Sequence, residues 1–348
     1  MAPTEEKMRS STKVMVTGAG GFIGSHLAVE LIRRGHRVAA VDLHLDRLAH
    51  LRGDPRVTFH EGDVTSADVL RPAVAEVDTV YHLAAAHLSV AAGDDEFFRV
   101  NVDGLRRLVE WCRQAEARRF VQCSSVGVFG HIADPPANED SPCHPDIAYE
   151  RSKLAGEGVV LEACRDGFPA TILRPAWVYG PGCPRTEKLF RSIRKGRFIV
   201  AGDGGGLRHC IYIRDMVTAF RLAAERDEAL GQVIIVGDCG AVTIRRLVDE
   251  IAGQVGARPP RSVPLPLLST AAVLAEIAFK PLRREPPISR RTLKFFTANT
   301  AFDTARARRL LGFRPAYDLR SGLAETRALL GSPAPWMPDA PAAVETGP

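Results

Sequence analysis

The 348-residue sequence predicts an α/β protein with a doubly wound parallel sheet and a smaller substrate-binding lobe toward the C-terminus. Three observations carry that expectation. Through the first half, short apolar runs alternate with longer stretches of helical periodicity, the pattern of strands joined by crossover helices. The first apolar run opens directly into a glycine-rich turn that a helix pattern follows at once. Beyond about residue 175 the alternation loosens into Pro-Gly loops, isolated strands and several helices.

In chain order, residues 13–16, 37–42, 57–60, 79–82, 119–124 and 170–174 read as strands, and residues 22–34, 66–74, 97–115 and 149–164 as the helices between them. These elements predict a cofactor-binding domain over 13–175. Residues 176–331 are expected to be mainly substrate lobe, with some segments returning to the first domain. Residues 1–12 and the Pro/Ala-rich tail 332–348 carry too little apolar periodicity to pack and are expected to be disordered. No apolar run approaches the ~20 residues of a membrane span, and the N-terminus has no apolar signal core, so a cytoplasmic protein without an integral membrane segment is expected. Seven scattered cysteines with no Cys-x-x-Cys pair argue against a disulfide framework and against a metal site.

Net charge is +5, and it is uneven: between Lys280 and Arg327 twelve Lys/Arg face four Asp/Glu. Such a cluster suits an anionic substrate, an anionic membrane surface or nucleic acid, or else a solvated helix face like the one carrying Arg306, Arg308 and Arg309 opposite Leu310 and Leu311. A small-molecule substrate, not nucleic acid, is the partner expected from the motifs below. Lysine is scarce, seven against 39 Arg, so each one kept deserves a reason.

The first strand runs into Thr17-Gly18-Ala19-Gly20-Gly21-Phe22-Ile23-Gly24. Glycines at Gly18, Gly21 and Gly24 let the backbone turn tightly and approach a pyrophosphate, whose charge then rests on the free N–H groups of the following helix. The second strand ends in Asp42, where a carboxylate accepts hydrogen bonds from an adenosine ribose diol and repels a 2′-phosphate. NAD is the cofactor expected, with Arg47 the one residue that speaks for NADP.

The fifth strand ends Cys123-Ser124-Ser125, and Tyr149-Glu150-Arg151-Ser152-Lys153 follows 24 residues later. A helix places Tyr149 and Lys153 on one face. Moving a hydride from a carbinol carbon to nicotinamide also requires loss of the hydroxyl proton, and a free phenol with pKa of about 10 is a poor base at neutral pH. A neighbouring ammonium favours the phenolate, and Ser125 can hold the reacting oxygen beside it. Ser125, Tyr149 and Lys153 are therefore the expected catalytic residues, and no metal is needed.

The spacing Gly18-x-x-Gly21-x-x-Gly24 resembles the short-chain dehydrogenase/reductase superfamily with its Rossmann-type fold, and further pieces match in order. Gly62-Asp63-Val64 looks like the superfamily's adenine-contacting segment. His82-Leu83-Ala84-Ala85 resembles the small-residue stretch beside the cofactor, and Asn101-Val102-x-Gly104 its helix-four signature. Leu173-Arg174-Pro175-Ala176-Trp177-Val178-Tyr179-Gly180-Pro181-Gly182, Gly202-Asp203-Gly204, Arg208 to Asp215, and Phe302-Asp303 with Leu311 to Pro315 extend the likeness over about residues 13–330. This is similar to the extended subgroup, the NAD-dependent epimerase/dehydratase family, with a C-terminal half like that of 3β-hydroxysteroid and sterol dehydrogenases. The resemblance implies that Phe22, Ile23, Asp63, Val64, Leu83, Ala84, Ala85, Asn101 and Pro175 join the glycines, Asp42, Tyr149 and Lys153 around NAD, with Ser124 in support. It also implies a homodimer through helices 97–115 and 149–164.

The resemblance leaves two substrate branches open. Arg208 matches the Arg with which nucleotide-sugar enzymes of the family hold a pyrophosphate, with Arg290 and Arg291 as possible second partners. Against that branch, Trp177 stands where family epimerases usually carry Asn, and Ser124-Ser125-Val126 replaces the dehydratases' Thr-Asp-Glu. The apolar stretch around residues 264–279 favours the steroid-type branch, as a substrate-covering or membrane-skirting helix unless it is simply core. His87 lies where it would line either pocket. An NAD-linked dehydrogenase or reductase of a secondary alcohol or ketone is the leading expectation. A nucleotide-sugar 4-epimerase or 4-ketoreductase is the alternative, and a redox-inactive dinucleotide-binding scaffold is third.

Overall fold

The computed structural model describes residues 12–86, 93–279 and 289–330; of the segments expected to be disordered, 1–12 and 332–348, only Thr12 is described, with its hydroxyl 2.7 Å from His36 Nδ1. Two compact units divide the chain: residues up to Val128 with Pro145–Arg174 and Val217–Ile234, and Phe129–His144 with Pro175–Met216 and the chain from Ile235 onward.

The first unit is built on strands β1 (Lys13–Thr17), β2 (Arg37–Asp42), β3 (Val57–Glu61), β4 (Thr79–His82), β5 (Arg119–Cys123) and β6 (Ala170–Pro175). They lie in the order β6-β5-β4-β1-β2-β3, with strand Val233–Val236 added beyond β6 to make a seven-stranded sheet. Every pairing from β6 across to β3 is parallel. Met15, Val80, Phe120 and Ile172 of the sheet form one core with Leu70, Leu108 and Val160 from the helices. The order reverses between β1 and β4, where Thr17 registers with His82. In sheets of this kind ligands bind at the carboxyl ends of the strands at that reversal.

Helices α1 (Phe22–Arg33), α2 (Ala67–Val74), α3 (Asp94–Phe98), α4 (Leu105–Gln114) and α5 (Ala148–Arg165) cover the sheet. The single helix expected over 97–115 is instead α3, a π-helical turn Arg99–Gly104 and α4. The π turn carries buried Asn101, whose side-chain oxygen accepts from Ala86 N–H at 2.9 Å while its Nδ2 donates to Ser152 Oγ at 2.8 Å. Sequence periodicity does not register a single-residue slip of this kind.

The second unit holds three two-stranded pieces, Trp177–Tyr179 with Cys210–Tyr212, Leu207–Arg208 with Val242–Thr243, and Ile199–Ala201 with Arg261–Val263. Its apolar helix spans Leu265–Phe279. The helix is core on one side only: Leu268 and Ala272 are buried against Ala201 and Leu293, while Leu267, Leu274 and Ile277 are each more than 60 % exposed. Apolar composition on every side of this helix hid which face was inward. None of the described helices is long and apolar enough to cross a membrane.

Candidate active site

The turn after β1 is shaped by contacts that only glycine permits. Gly18 adopts φ +72°, and a Cβ there would lie 2.6 Å from Ala84 N; a Cβ on Gly24 would lie 2.0 Å from Gly18 O. The first brings the turn against the chain leaving β4, and the second seats α1 directly under the loop. Gly21 caps α1 without a side-chain hydrogen bond and no acidic residue stands in its first turn, so the leading N–H groups face no competing charge. Phe22 and Ile23 begin that turn, both half-buried. Gly20 N–H donates to Asp42 Oδ2 at 2.9 Å, which pins the carboxylate at the end of β2 beside the loop. This cradle, with Asp42 beside it, fits a dinucleotide with an unphosphorylated ribose. Sequence spacing alone gives no role to Gly20 or Thr17. Thr17 Oγ1 accepts from Ala84 N–H at 3.3 Å and lies 2.8 Å from His82 Nδ1, tying β1 to β4 at the reversal.

The remaining cofactor candidates of the first unit line the same strand ends. Leu83, Ala84 and Ala85 are half-buried after β4. Asp63 follows β3, its carboxylate accepting from Thr65 N–H at 2.8 Å and Arg99 at 3.1 Å, with buried Val64 beside it. The Asn101 amide bonds to Ala86 and Ser152 and so links the post-β4 chain to α5.

On α5, Tyr149 and Lys153 occupy successive turns. Tyr149 is half-buried against Phe97, the rings edge-to-face at 6.0 Å. Lys153 is 5 % exposed and its Nζ donates to Cys123 O at 2.6 Å, which locks α5 to the end of β5. Burial lowers the Lys153 pKa, against the opposing pull of Cys123 and Glu157. Ser125 Oγ accepts from Gly127 N–H at 3.0 Å, which leaves its own O–H to be donated. Ser124 has a different task from Ser125: its buried hydroxyl donates inward to Glu157 Oε1 at 2.5 Å. Glu157 falls one turn after Lys153, but its pairing with Arg174 has no signature in the sequence because the two lie on different elements.

In the second unit, Pro175 is buried directly after Arg174, and Trp177 is half-buried with its ring stacked on Tyr179 at 6.1 Å. Arg208 donates to Phe295 O at 3.0 Å and lies over the Phe295 ring at 4.8 Å. Its Nε is buried without a hydrogen-bond partner, and among the described residues no carboxylate pairs with it, so burial lowers its pKa. His87 and the side chains of Arg290 and Arg291 lie outside the described residues.

A reversal in a parallel sheet, a glycine cradle under a helix N-terminus, an acidic residue after β2 and a Tyr–Lys pair on one helix together define a dinucleotide-dependent oxidoreductase. The chain belongs to the NAD-dependent epimerase/dehydratase family, whose model matches residues 14–237. It is 32% identical to the Sterol demethylase protein B of Methylococcus capsulatus, over 86% of this chain and 93% of that protein. It is also 32% identical to a UDP-glucose 4-epimerase of Mycolicibacterium smegmatis, over 90% and 97% of the two chains. Among solved structures it is similar to MoeE5 in complex with UDP-glucose and NAD, with TM-score 0.73 and 30% identity over 91% of this chain and 98% of that one. The protein is thus an NAD-dependent enzyme of the epimerase/dehydrogenase type.

Proposed function

We propose that the protein oxidises a secondary alcohol of a bulky, lipid-like molecule that carries an anionic group, or reduces the corresponding ketone. The carrying observation is that one unit offers both an exposed apolar helix face, with Leu267, Leu274 and Ile277, and a half-buried Arg208 whose Nε is buried without a hydrogen-bond partner and which has no carboxylate partner among the described residues. An apolar substrate with a carboxylate satisfies both. The relative named for sterol demethylation is consistent with this reading.

In this reading Gly18, Gly21, Gly24 and the N-terminus of α1 hold the pyrophosphate and Asp42 holds the adenosine ribose. NAD, when bound, supplies the hydride acceptor. Ser125 donates its O–H to the carbinol oxygen and keeps it beside Tyr149. Tyr149 Oη takes the hydroxyl proton, and the Lys153 ammonium favours the phenolate that does so. Arg208 holds the anionic group, and Trp177 lines the substrate in place of the Asn usual in epimerases. We place the enzyme in the cytoplasm as a homodimer, a state that sedimentation tests.

The second reading is a nucleotide-sugar enzyme. Arg208 favours it as well, since a pyrophosphate also satisfies a lone guanidinium, and the epimerase relative supports it. The two separate in one series. Protein with NAD is melted alone and with UDP, TDP or a 3β-hydroxysteroid carboxylate. A ligand at 100 times its Kd adds about 2.7 kcal/mol to the folded state. Stabilisation by the steroid acid alone, with NADH formed, supports the proposal; stabilisation by UDP or TDP and recovery of an epimerised sugar replaces it with the second reading.

A further inference from the structure

Three buried groups under the Tyr–Lys pair take no part in the proton transfer described so far. Glu157 is 1 % exposed, and Arg174 and Ser124 are 5 % and 3 % exposed. The Glu157 carboxylate accepts from Arg174 Nε at 2.9 Å and Nη2 at 2.7 Å, a two-pronged ion pair, and from Ser124 Oγ. Ser124 immediately precedes Ser125 on the chain, and Arg174 sits on β6 beside the β5 end. Tyr149, Lys153 and Glu157 occupy positions i, i+4 and i+8 of α5, which stack them on one helix face. One carboxylate therefore binds the β5 end, the β6 end and the catalytic helix together.

A simple structural tie would be better made from apolar residues, because burying an ion pair costs desolvation that its attraction barely offsets. What an apolar tie lacks is charge close to the reacting proton. We propose that Glu157, clamped by Arg174 and Ser124, is a positioning residue whose charge balance sets the pH at which the Tyr149–Lys153 pair exchanges its protons. The inference rests on the reading of Tyr149 as the base. The other ionisable groups facing Lys153 are Cys123 on β5 and His82 on β4. Helices packed on α5 contribute ion pairs nearer its two ends, Asp94 to Arg151 at 3.5 Å and Arg113 to Asp166 at 3.4 Å. Neither thiol nor imidazole is charged near neutrality here, since burial raises Cys123 and holds His82 neutral. Among these groups, Glu157 and Arg174 alone form a charged pair buried beneath Lys153.

The signs follow from electrostatics. Removing the Glu157 charge makes the ammonium less favourable and the phenolate more so, and both groups then lose their protons at lower pH. Removing the Arg174 charge leaves Glu157 uncompensated and moves both upward. A residue acting only as a strut would give no such opposed shifts.

The test needs no substrate. The chain has five tyrosines, and burial holds Tyr81, Tyr179, Tyr212 and Tyr317 above the ordinary phenol range. Near-ultraviolet tyrosinate absorbance of the NAD-bound enzyme, minus that of Tyr149→Phe, therefore isolates Tyr149. Glu157→Gln should lower its midpoint by about one pH unit, Arg174→Gln should raise it by a similar amount, and the double variant should return it toward the parent value. If the parent Tyr149 titrates no lower than a free phenol, the reading of the base fails. If it titrates low but the single variants leave it in place or move it the same way, only the present inference is overturned. Should neither single variant melt cooperatively, Ser124→Ala keeps the ion pair and removes one hydrogen bond donated to the carboxylate. It should raise the midpoint by a few tenths of a unit, and an unmoved midpoint overturns the inference equally.

Discussion

Gly18→Ala probes the cofactor cradle most sharply. At φ +72° an L-residue is strained by roughly 1–2 kcal/mol. The added methyl would also lie 2.6 Å from Ala84 N and 2.8 Å from Leu83 C, both backbone, so the turn itself must give way. Overpacking of this kind costs about 1–3 kcal/mol, for a total loss of stability of about 2–5 kcal/mol. The same displacement moves the turn from the pyrophosphate position, and NAD affinity should fall at least tenfold, about 1.4 kcal/mol. Gly35→Ala is the control: its φ is +87°, yet nothing lies within 4 Å of its Cβ position. It should cost only about 1–2 kcal/mol of stability and leave NAD affinity intact. Urea unfolding and calorimetric titration of NAD read both variants. NAD binding by Gly18→Ala equal to the parent's, in a folded protein, would refute the cradle.

Stability should fall on mild acidification because burial and the Lys153 charge hold the His82 pKa down to about 3. Between that value and the ordinary one, the unfolded chain binds a proton that the folded one does not. Unfolding free energy should therefore drop as pH falls below about 6.5, by up to roughly 1.4 kcal/mol per unit from this residue, and His82→Gln should flatten the slope measured in urea. Arg208→Leu removes the hydrogen bond to Phe295 O and should cost about 1 kcal/mol of stability, but raise the KM of an anionic substrate about ten- to hundredfold in initial-rate assays. Leu274→Glu, at a position 63% exposed, should alter stability by no more than about 0.5 kcal/mol while weakening turnover of an apolar substrate.

The sheet and its helices were legible in the sequence because each strand is a short apolar run and each helix a long periodic one; strand ends in the structure differ from expectation by a residue at β1, β3, β5 and β6. The glycine turn, Asp42, Tyr149 and Lys153 were legible because their chemistry needs fixed residue types at fixed spacing. What escaped notice were partners distant along the chain. Thr17 meets His82 only when β1 and β4 pair, and Glu157 meets Arg174 only when α5 lies over β6. The hydrogen bonds by which Asn101 joins Ala86 to Ser152 on α5 likewise form only once the π turn directs its amide to both. The apolar helix Leu265–Phe279 defeated periodicity altogether, as its exposed side is as apolar as its buried one.

In the proposed reaction Tyr149 takes the proton while NAD takes the hydride. This is tested most directly by mixing the enzyme with NAD and 3β-hydroxysteroid acids and following NADH absorbance, in parallel with Tyr149→Phe shown by titration to bind NAD normally. The parent should form NADH in step with ketone, and the variant should be slower by about 10²–10⁴-fold. Full NADH formation by Tyr149→Phe would rule out Tyr149 as the base.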